Sequence, residues 1–274
     1  AQLPSKAEAE PGRINRDMAL LLKARICLHE GTFRKYHGLA GGDKFLQEAA
    51  DASSRLMTEG HYSLYNTGHP ETDYGSVFNS LDLSGNKEII LYKDYKTGAQ
   101  GTATLWNVQL NNFNDGLSKS LVDAYLCLDG KPISQSGSFL GHDSIQAEMK
   151  NRDLRLAQTV TYPGTGVQAG FSGPAIPGST FSNAIGIVPT GYQLTKFWTN
   201  DQAEFLRIQN GIMNAPIFRY AEVLLINAEA NAELGLCTQT VINNTINLLR
   251  ARAGVQPMTI AALQKDADSD FPDV

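Results

Sequence analysis

Histidine, cysteine and acidic side chains are the groups in this sequence that could bind a metal ion or transfer a proton. The five histidines are His29, His37, His61, His69 and His142. No two of them stand four residues apart, no HExxH motif occurs, and the carboxylates near them form no metal-ligand pattern. The cysteines, Cys27, Cys127 and Cys237, include no CxxC pair, which argues against a zinc or redox motif. The sequence therefore predicts no metal site and no cofactor.

Motifs for nucleophilic or phosphate chemistry are also missing. The chain has no GxSxG nucleophile motif, no P-loop and no dinucleotide fingerprint, and the glycine-rich Gly164–Gly170 lacks a strand–helix context. The acidic residues are scattered, and a glycosidase pair is defined by a separation that a sequence does not give. The compact "NRDLR", Asn151–Arg155, favours an internal Arg–Asp pair that fixes a loop. We therefore predict that the chain has no catalytic residues and is not an enzyme.

Composition limits the class of protein further. With 274 residues, 42% of them hydrophobic, the chain is long enough for one large domain or two small ones. The formal net charge of -5 and the lack of a basic cluster argue against a nucleic-acid partner. No apolar run approaches the roughly 20 residues that a membrane-spanning helix needs.

Two helical hairpins, residues 14–60 and 214–254, must position any functional groups. In the first, residues 14–28 read as a buried helix that ends at Gly31, and a second helix follows with Asp43 as its N-cap. In the second, the spacing of apolar residues predicts one helix face, and Gly235 ends that helix before Thr238 or Thr240 caps the next. The face consists of Ile217, Ala221, Leu224, Leu225, Ala228 and Ala232.

Residues 87–200, between the hairpins, differ from them in amino-acid composition. Lys87–Tyr95, "KEIILYKDY", reads as a short strand, and the rest is rich in polar and turn-forming residues. Loops this long within a domain are usually functional or disordered. Ala-rich helix pairs are typical of tetratricopeptide arrays. We therefore predict a mainly α fold of tetratricopeptide-like hairpins with long irregular loops and short strands, in which residues 87–200 form a loop-rich ligand region.

Five segments in this order resemble the SusD/RagB family of outer-membrane nutrient-binding lipoproteins. They are "GRINRDMALLLKARICLHEG", "LVDAYLCLDGKPI", "NRDLRLAQTVTYPG", "TGYQLTKFW" and "PIFRYAEVLLINAEANAELG" followed by "INLLRARAG". Leu154 stands where proline is common in the family. Because family members are longer at both ends, the resemblance implies that residues 1–274 are an internal portion of a single SusD-like domain of α/α fold.

The resemblance also implies a function. Proteins of this family are surface-exposed lipoproteins of the cell outer membrane, and here the lipid anchor would lie upstream of the chain. They capture oligosaccharides, or in some members peptides, for import by a partner SusC-like TonB-dependent transporter, and they are not catalysts.

Carbohydrate binding needs aromatic faces for the C–H side of a sugar ring and amide or carboxylate groups for its hydroxyls. The segment "TATLWNVQLNNFND" combines both kinds of side chain. Tyr65, Tyr74 and Trp198 add aromatic faces, although core packing is a strong alternative for each of them. The predicted ligand-binding residues are Trp106, Asn107, Asn111, Asn112, Tyr65, Tyr74 and Trp198.

Three other functions remain open. A tetratricopeptide-like array could be a protein-interaction module without a small ligand, and a SusD-like protein could bind peptides instead of glycans. A glycoside hydrolase is a third alternative, because binding and cleavage share substrates. Arg219, Arg250 and Arg252 are expected to form ion pairs between helices.

Overall fold

The computed structural model describes residues 3–96, 116–161, 190–197, 201–205, 207 and 210–262. The described part is mostly helical with a few short strands, which confirms the predicted fold class. The helices are α1 (Arg16–Tyr36), α2 (Gly42–Thr58), α3 (Asp73–Asn79), α4 (Lys119–Ala124), α5 (Ile145–Met149), α6 (Leu154–Ala157), α7 (Gln202–Phe205), α8 (Tyr220–Glu233), α9 (Gln239–Asn244) and α10 (Ile246–Arg252), with a 3-10 turn at Ile260–Ala262. The strands are β1 (Ile89–Lys93), β2 (Val160–Thr161), β3 (Gln193–Leu194) and β4 (Ala215–Arg219).

The main hydrophobic core lies where α1, α2 and α8 pack together. Its buried side chains include Leu21 of α1, Leu56 of α2 and Leu224 of α8, and Phe218 of β4 joins them. The small residues of α2 let α8 approach closely, as the Ala-rich pattern indicated. Among the helices that the structure describes, none has both the length and the apolar content that crossing a bilayer requires.

Helix α1 does not end at Gly31, as the sequence predicted, but continues to Tyr36. Gly31 lies against α2, where a Cβ atom at this position would stand 2.7 Å from Leu46 Cγ. The missing side chain therefore allows two helices to touch, and it does not mark a helix end. The N-cap of α2 is Gly41, whereas Asp43 lies in the first helical turn.

Replacing Gly31 with Ala is expected to lower the free energy of unfolding by up to about 2 kcal/mol. Overpacking against Leu46 costs about 1–3 kcal/mol, and the better helix propensity of Ala returns about 1 kcal/mol. Urea unfolding measures the difference. Gly75→Ala in α3 is the control, because its Cβ would meet the nearest atom, Gln158 Oε1, at an ordinary 3.5 Å. Equal stability of the two variants would contradict this role for Gly31.

The second predicted hairpin begins with a strand instead of a helix. Residues 215–219 form β4, which pairs antiparallel with β1, and α8 starts only at Tyr220. Three residues assigned to the inner helix face do not lie on it: Ile217 lies in β4 and is 50% exposed, Leu225 is 48% exposed on α8, and Ala232 of α8 is also exposed. Pairing with β1, which lies far away in sequence, determines the conformation of this segment.

The helix after Gly235 is divided in two. Thr238 accepts a hydrogen bond from the Val241 amide and caps α9, as one of the two predicted caps. Thr245 then interrupts the helical conformation with φ -130° and ψ -85°, and α10 begins directly after it. The Thr245 hydroxyl donates to the Val241 carbonyl at 2.6 Å, which offers the chain a bond in place of a regular helical one.

A buried ion-pair cluster joins β1, β4 and α10. Glu88, immediately before β1, is fully buried, and it accepts hydrogen bonds from Arg219 and from the nearly fully buried Arg252. The predicted pairing of these two arginines between helices is therefore wrong, because both reach a carboxylate at the edge of the small sheet. Arg250 instead donates to the backbone carbonyls of Gly130 and Gln256.

Candidate functional site

Most of the predicted ligand-binding residues lie outside the described part of the chain. Trp106, Asn107, Asn111 and Asn112 fall within residues 97–115, and Trp198 falls within residues 198–200. Their contact with a ligand stays a prediction.

Tyr65 and Tyr74 are described, and both pack against a small core cluster that contains Phe78 and Tyr92. The Tyr74 ring lies edge-on to Phe78, with ring centroids 4.9 Å apart. Lys196 Nζ is 5.4 Å from the Tyr74 ring centroid. Packing against this cluster thus explains why both tyrosines are half-buried. Ligand binding by the part of each ring that stays exposed remains a prediction.

A polar cavity of about 440 Å³ opens beside the end of β1. Its lining residues are Leu81, Asp82, Ser84, Tyr92, Asp94, Tyr95, Lys96, Ile212 and Asn214. They combine two carboxylates, an amide, a hydroxyl, an ammonium group and two tyrosine side chains. Residue 96 is the last described residue before residues 97–115, which contain the predicted amide and indole groups.

Asn214 connects two sides of the cavity. Its side-chain oxygen accepts a hydrogen bond from the Leu83 amide at 3.1 Å, and its Nδ2 donates to Asp94 Oδ1 at 3.3 Å. The Asn214 side chain is almost fully buried. It therefore fixes the turn around Leu83 relative to Asp94, which limits the reorganisation that a bound ligand would require.

Two ionisable groups of the cavity, Asp82 and Tyr92, have shifted pKa values. Hydrogen bonds from the backbone and side chain of Ser84 lower the pKa of Asp82, so that its carboxylate is ionised at neutral pH. Burial, with smaller contributions from the charges of Asp94 and Asp82, raises the pKa of Tyr92, so its hydroxyl keeps its proton. Lys96 Nζ lies 3.1 Å from Asp94 Oδ2 and forms an ion pair at the rim.

Sequence reasoning missed Asp82, Tyr95 and Asn214 as site residues. Tyr95 adjoins the segment that contains Trp106, and this proximity was the one available signal. Asn214 is separated from Asp94 by 120 residues, and only the β1–β4 pairing brings the two together.

Two groups of histidine and carboxylate side chains also come together, contrary to the expectation from sequence spacing. In the first, His61 Nδ1 lies 2.9 Å from the fully buried Asp17, with Glu59 nearby. His61 and Asp17 are 44 residues apart in sequence, which explains why spacing did not reveal the pair. Such a group has the donor types of a metal site, although a histidine–aspartate hydrogen bond accounts for the contact that is present.

The second group contains Asp123, His142 and Glu148, and Lys119 already supplies a cation there. Lys119 Nζ lies 2.8 Å from Asp123 and 3.2 Å from Glu148. Burial disfavours the ionised form of Glu148, but hydrogen bonds from Tyr192, His142 and Lys119 outweigh it and lower its pKa. The group therefore reads as a structural network that ties α4 and α5 to Tyr192.

The "NRDLR" segment has the structural role that its composition favoured. Arg155 Nη2 lies 2.5 Å from Asp153 Oδ2, and Asp153 also caps α6. Arg152 is buried and donates to the backbone carbonyls of Glu148, Val122 and Tyr125. These contacts fix the loop between α5 and α6.

Solved structures of known proteins have a fold similar to that of this chain. A SusD-like carbohydrate-binding protein from Bacteroides fragilis shares 25% sequence identity and a TM-score of 0.66, over 94% of this chain and 48% of the other. Surface glycan-binding protein A from Bacteroides uniformis is 17% identical with a TM-score of 0.53, over 94% of this chain and 46% of the other. The Bacteroides thetaiotaomicron surface glycan-binding protein A, solved with laminarihexaose, is 17% identical with a TM-score of 0.50, over 94% and 51% of the two chains.

The chain thus spans about half the length of the solved structures that it resembles. A search of curated proteins found no match. The sequence model of the SusD family matches residues 76–273, which is well over half of the chain. This chain therefore belongs to the SusD family.

Proposed function

We propose that this chain is part of a cell-surface glycan-binding protein that captures oligosaccharides for a partner SusC-like TonB-dependent transporter. The protein would be a lipoprotein of the outer membrane, held by a lipid anchor upstream of this chain. Membership of the SusD family supports the class of function. The observation that carries the proposal is the polar cavity with Tyr95 at its edge, next to the segment that contains Trp106.

The cavity offers the groups that a sugar ring needs. Asp82 and Asp94 carry acceptor oxygens for sugar hydroxyls, and the hydroxyl of Tyr92 is a donor. The half-buried Tyr95 ring provides a face for the C–H side of a pyranose. Trp106 and the asparagines after it would extend this surface along the glycan.

The lowered pKa of Asp82 makes this residue unsuited to the role of general acid in glycoside hydrolysis. Glycoside hydrolysis needs one carboxylic acid that keeps its proton at neutral pH, usually because its pKa is raised. The pKa of Asp82 is lowered instead. Because the proposed function is capture, we expect no release of reducing ends when the protein is incubated with the glycan that it binds.

Isothermal titration against a panel of oligosaccharides, laminarihexaose among them, tests the proposal. We expect at least one oligosaccharide to bind with a dissociation constant in the micromolar to millimolar range, corresponding to about 4–8 kcal/mol. Binding that disappears when the cavity residue Tyr95 is replaced with Ala would locate the site. A panel of oligosaccharides and peptides without any binder would refute glycan capture.

A protein-interaction module is the second candidate, and the outer face of α1 favours it. Leu22, Ile26 and Phe33 are exposed and follow helical spacing, so they form an apolar stripe on one face. An interaction module would co-purify with a protein partner and bind no oligosaccharide. A peptide-binding member of the family would show a heat of binding in the same titration with peptides and none with oligosaccharides.

A further inference from the structure

The balance of charge in the cavity bears on which glycans it can accept. Two carboxylates, Asp82 and Asp94, and one ammonium group, Lys96, line it. The ion pair between Lys96 and Asp94 cancels one charge of each sign at 3.1 Å. Asp82 is left as an ionised group, because its hydrogen bonds come from Ser84 and involve no cation. The cavity therefore carries a net negative charge.

Acidic sugars need cations that are not already paired, usually arginine or lysine. Among the described residues that line the cavity there is no arginine, and the one lysine, Lys96, already forms an ion pair with Asp94. A uronate or sulfate group would thus face the uncompensated carboxylate of Asp82.

We propose that this site selects neutral glycans and discriminates against those with uronate or sulfate groups. The inference rests on the proposed glycan-binding function and specifies the chemical class of its ligand. Neutral hydroxyls can accept from the Tyr92 hydroxyl and donate to the oxygens of Asp82 and Asp94. A carboxylate in the same position can donate to none of these oxygens and is repelled by them.

Titration with matched pairs of hexasaccharides tests the selectivity. The first pair is oligogalacturonate and its fully methyl-esterified form. The second pair is β-1,4-oligomannuronate and β-1,4-oligomannoside. Laminarihexaose is added as a further neutral ligand. We expect the tightest ligand of the whole panel to be neutral, and every acidic partner to bind at least tenfold more weakly. Raising the salt concentration from 20 to 500 mM should narrow the difference, because salt screens the repulsion.

The variant Asp94→Asn tests the cause of the selectivity. It keeps the shape of the side chain and removes the charge that neutralises Lys96, so the ammonium group becomes free to meet an acidic sugar. The ratio of acidic to neutral affinity is expected to rise at least fivefold. Asp51→Asn is the matched control, because it makes the same charge change on α2, no residue of which lines the cavity, and it should leave the ratio unchanged.

The outcomes separate this inference from the function on which it rests. An acidic glycan that binds as tightly as its neutral partner, or a ratio that Asp94→Asn leaves unchanged, overturns the inference while glycan capture stands. A protein that binds no member of the panel overturns glycan capture itself, and the inference with it. Thermal unfolding of each variant confirms that the comparison is made between folded proteins.

Discussion

Replacing Glu88 with Ala is expected to destabilise the protein by about 3–5 kcal/mol, because the change leaves two arginines without their shared partner. Glu88 Oε1 accepts from Arg219 Nη1 at 2.7 Å, and Oε2 accepts from Arg252 Nη1 at 2.5 Å. Oε2 also accepts from the Tyr65 amide at 2.8 Å. Arg252 is almost fully buried, so water cannot replace the lost carboxylate without opening the contact between β1, β4 and α10.

Urea unfolding at neutral pH measures this effect. Glu48→Ala is the matched control: its partner is Lys23, both side chains are about half exposed, and exposed pairs contribute about 0–1 kcal/mol. A Glu88→Ala protein as stable as the Glu48→Ala protein would show that the buried cluster does not hold the sheet and α10 together. Glu88→Gln keeps the side-chain shape, and its loss of stability isolates the contribution of the charge.

Replacing Trp106 with Ala is expected to weaken oligosaccharide binding by about 10- to 100-fold, or about 1.4–2.8 kcal/mol. An indole ring offers a large rigid face to a pyranose, and anchors of this kind carry a disproportionate share of binding free energy. Isothermal titration with the best ligand of the panel gives the change in affinity.

The control for this substitution is Tyr36→Ala. Tyr36 is an exposed aromatic residue at the end of α1, which does not line the cavity, so its removal should leave affinity for sugar unchanged. Unchanged binding in the Trp106→Ala protein would contradict the proposed aromatic contact. Loss of sugar binding with an intact contact to a transporter would favour glycan capture over a pure interaction module.

Several features of the fold follow from local sequence patterns. The helical periodicity of residues 14–28 and 239–252 and the Thr238 cap depend on neighbours within about four residues. The same is true of the Asp153–Arg155 pair. The resemblance of five segments to the SusD family was also visible in the sequence, and the family match confirms it.

Other features depend on contacts between distant parts of the chain, and only the tertiary structure decided them. Gly31 continues a helix because Leu46 packs against it, and residues 215–219 form a strand because β1 is available to pair with them. The cavity depends on the same pairing, which brings Asn214 to Asp94. Local periodicity reports which side of an element is apolar, whereas the partner that covers that side is selected by packing and hydrogen bonding over the whole chain. The sequence alone therefore determined the helical character and the family of this protein, and the tertiary structure determined which polar groups meet.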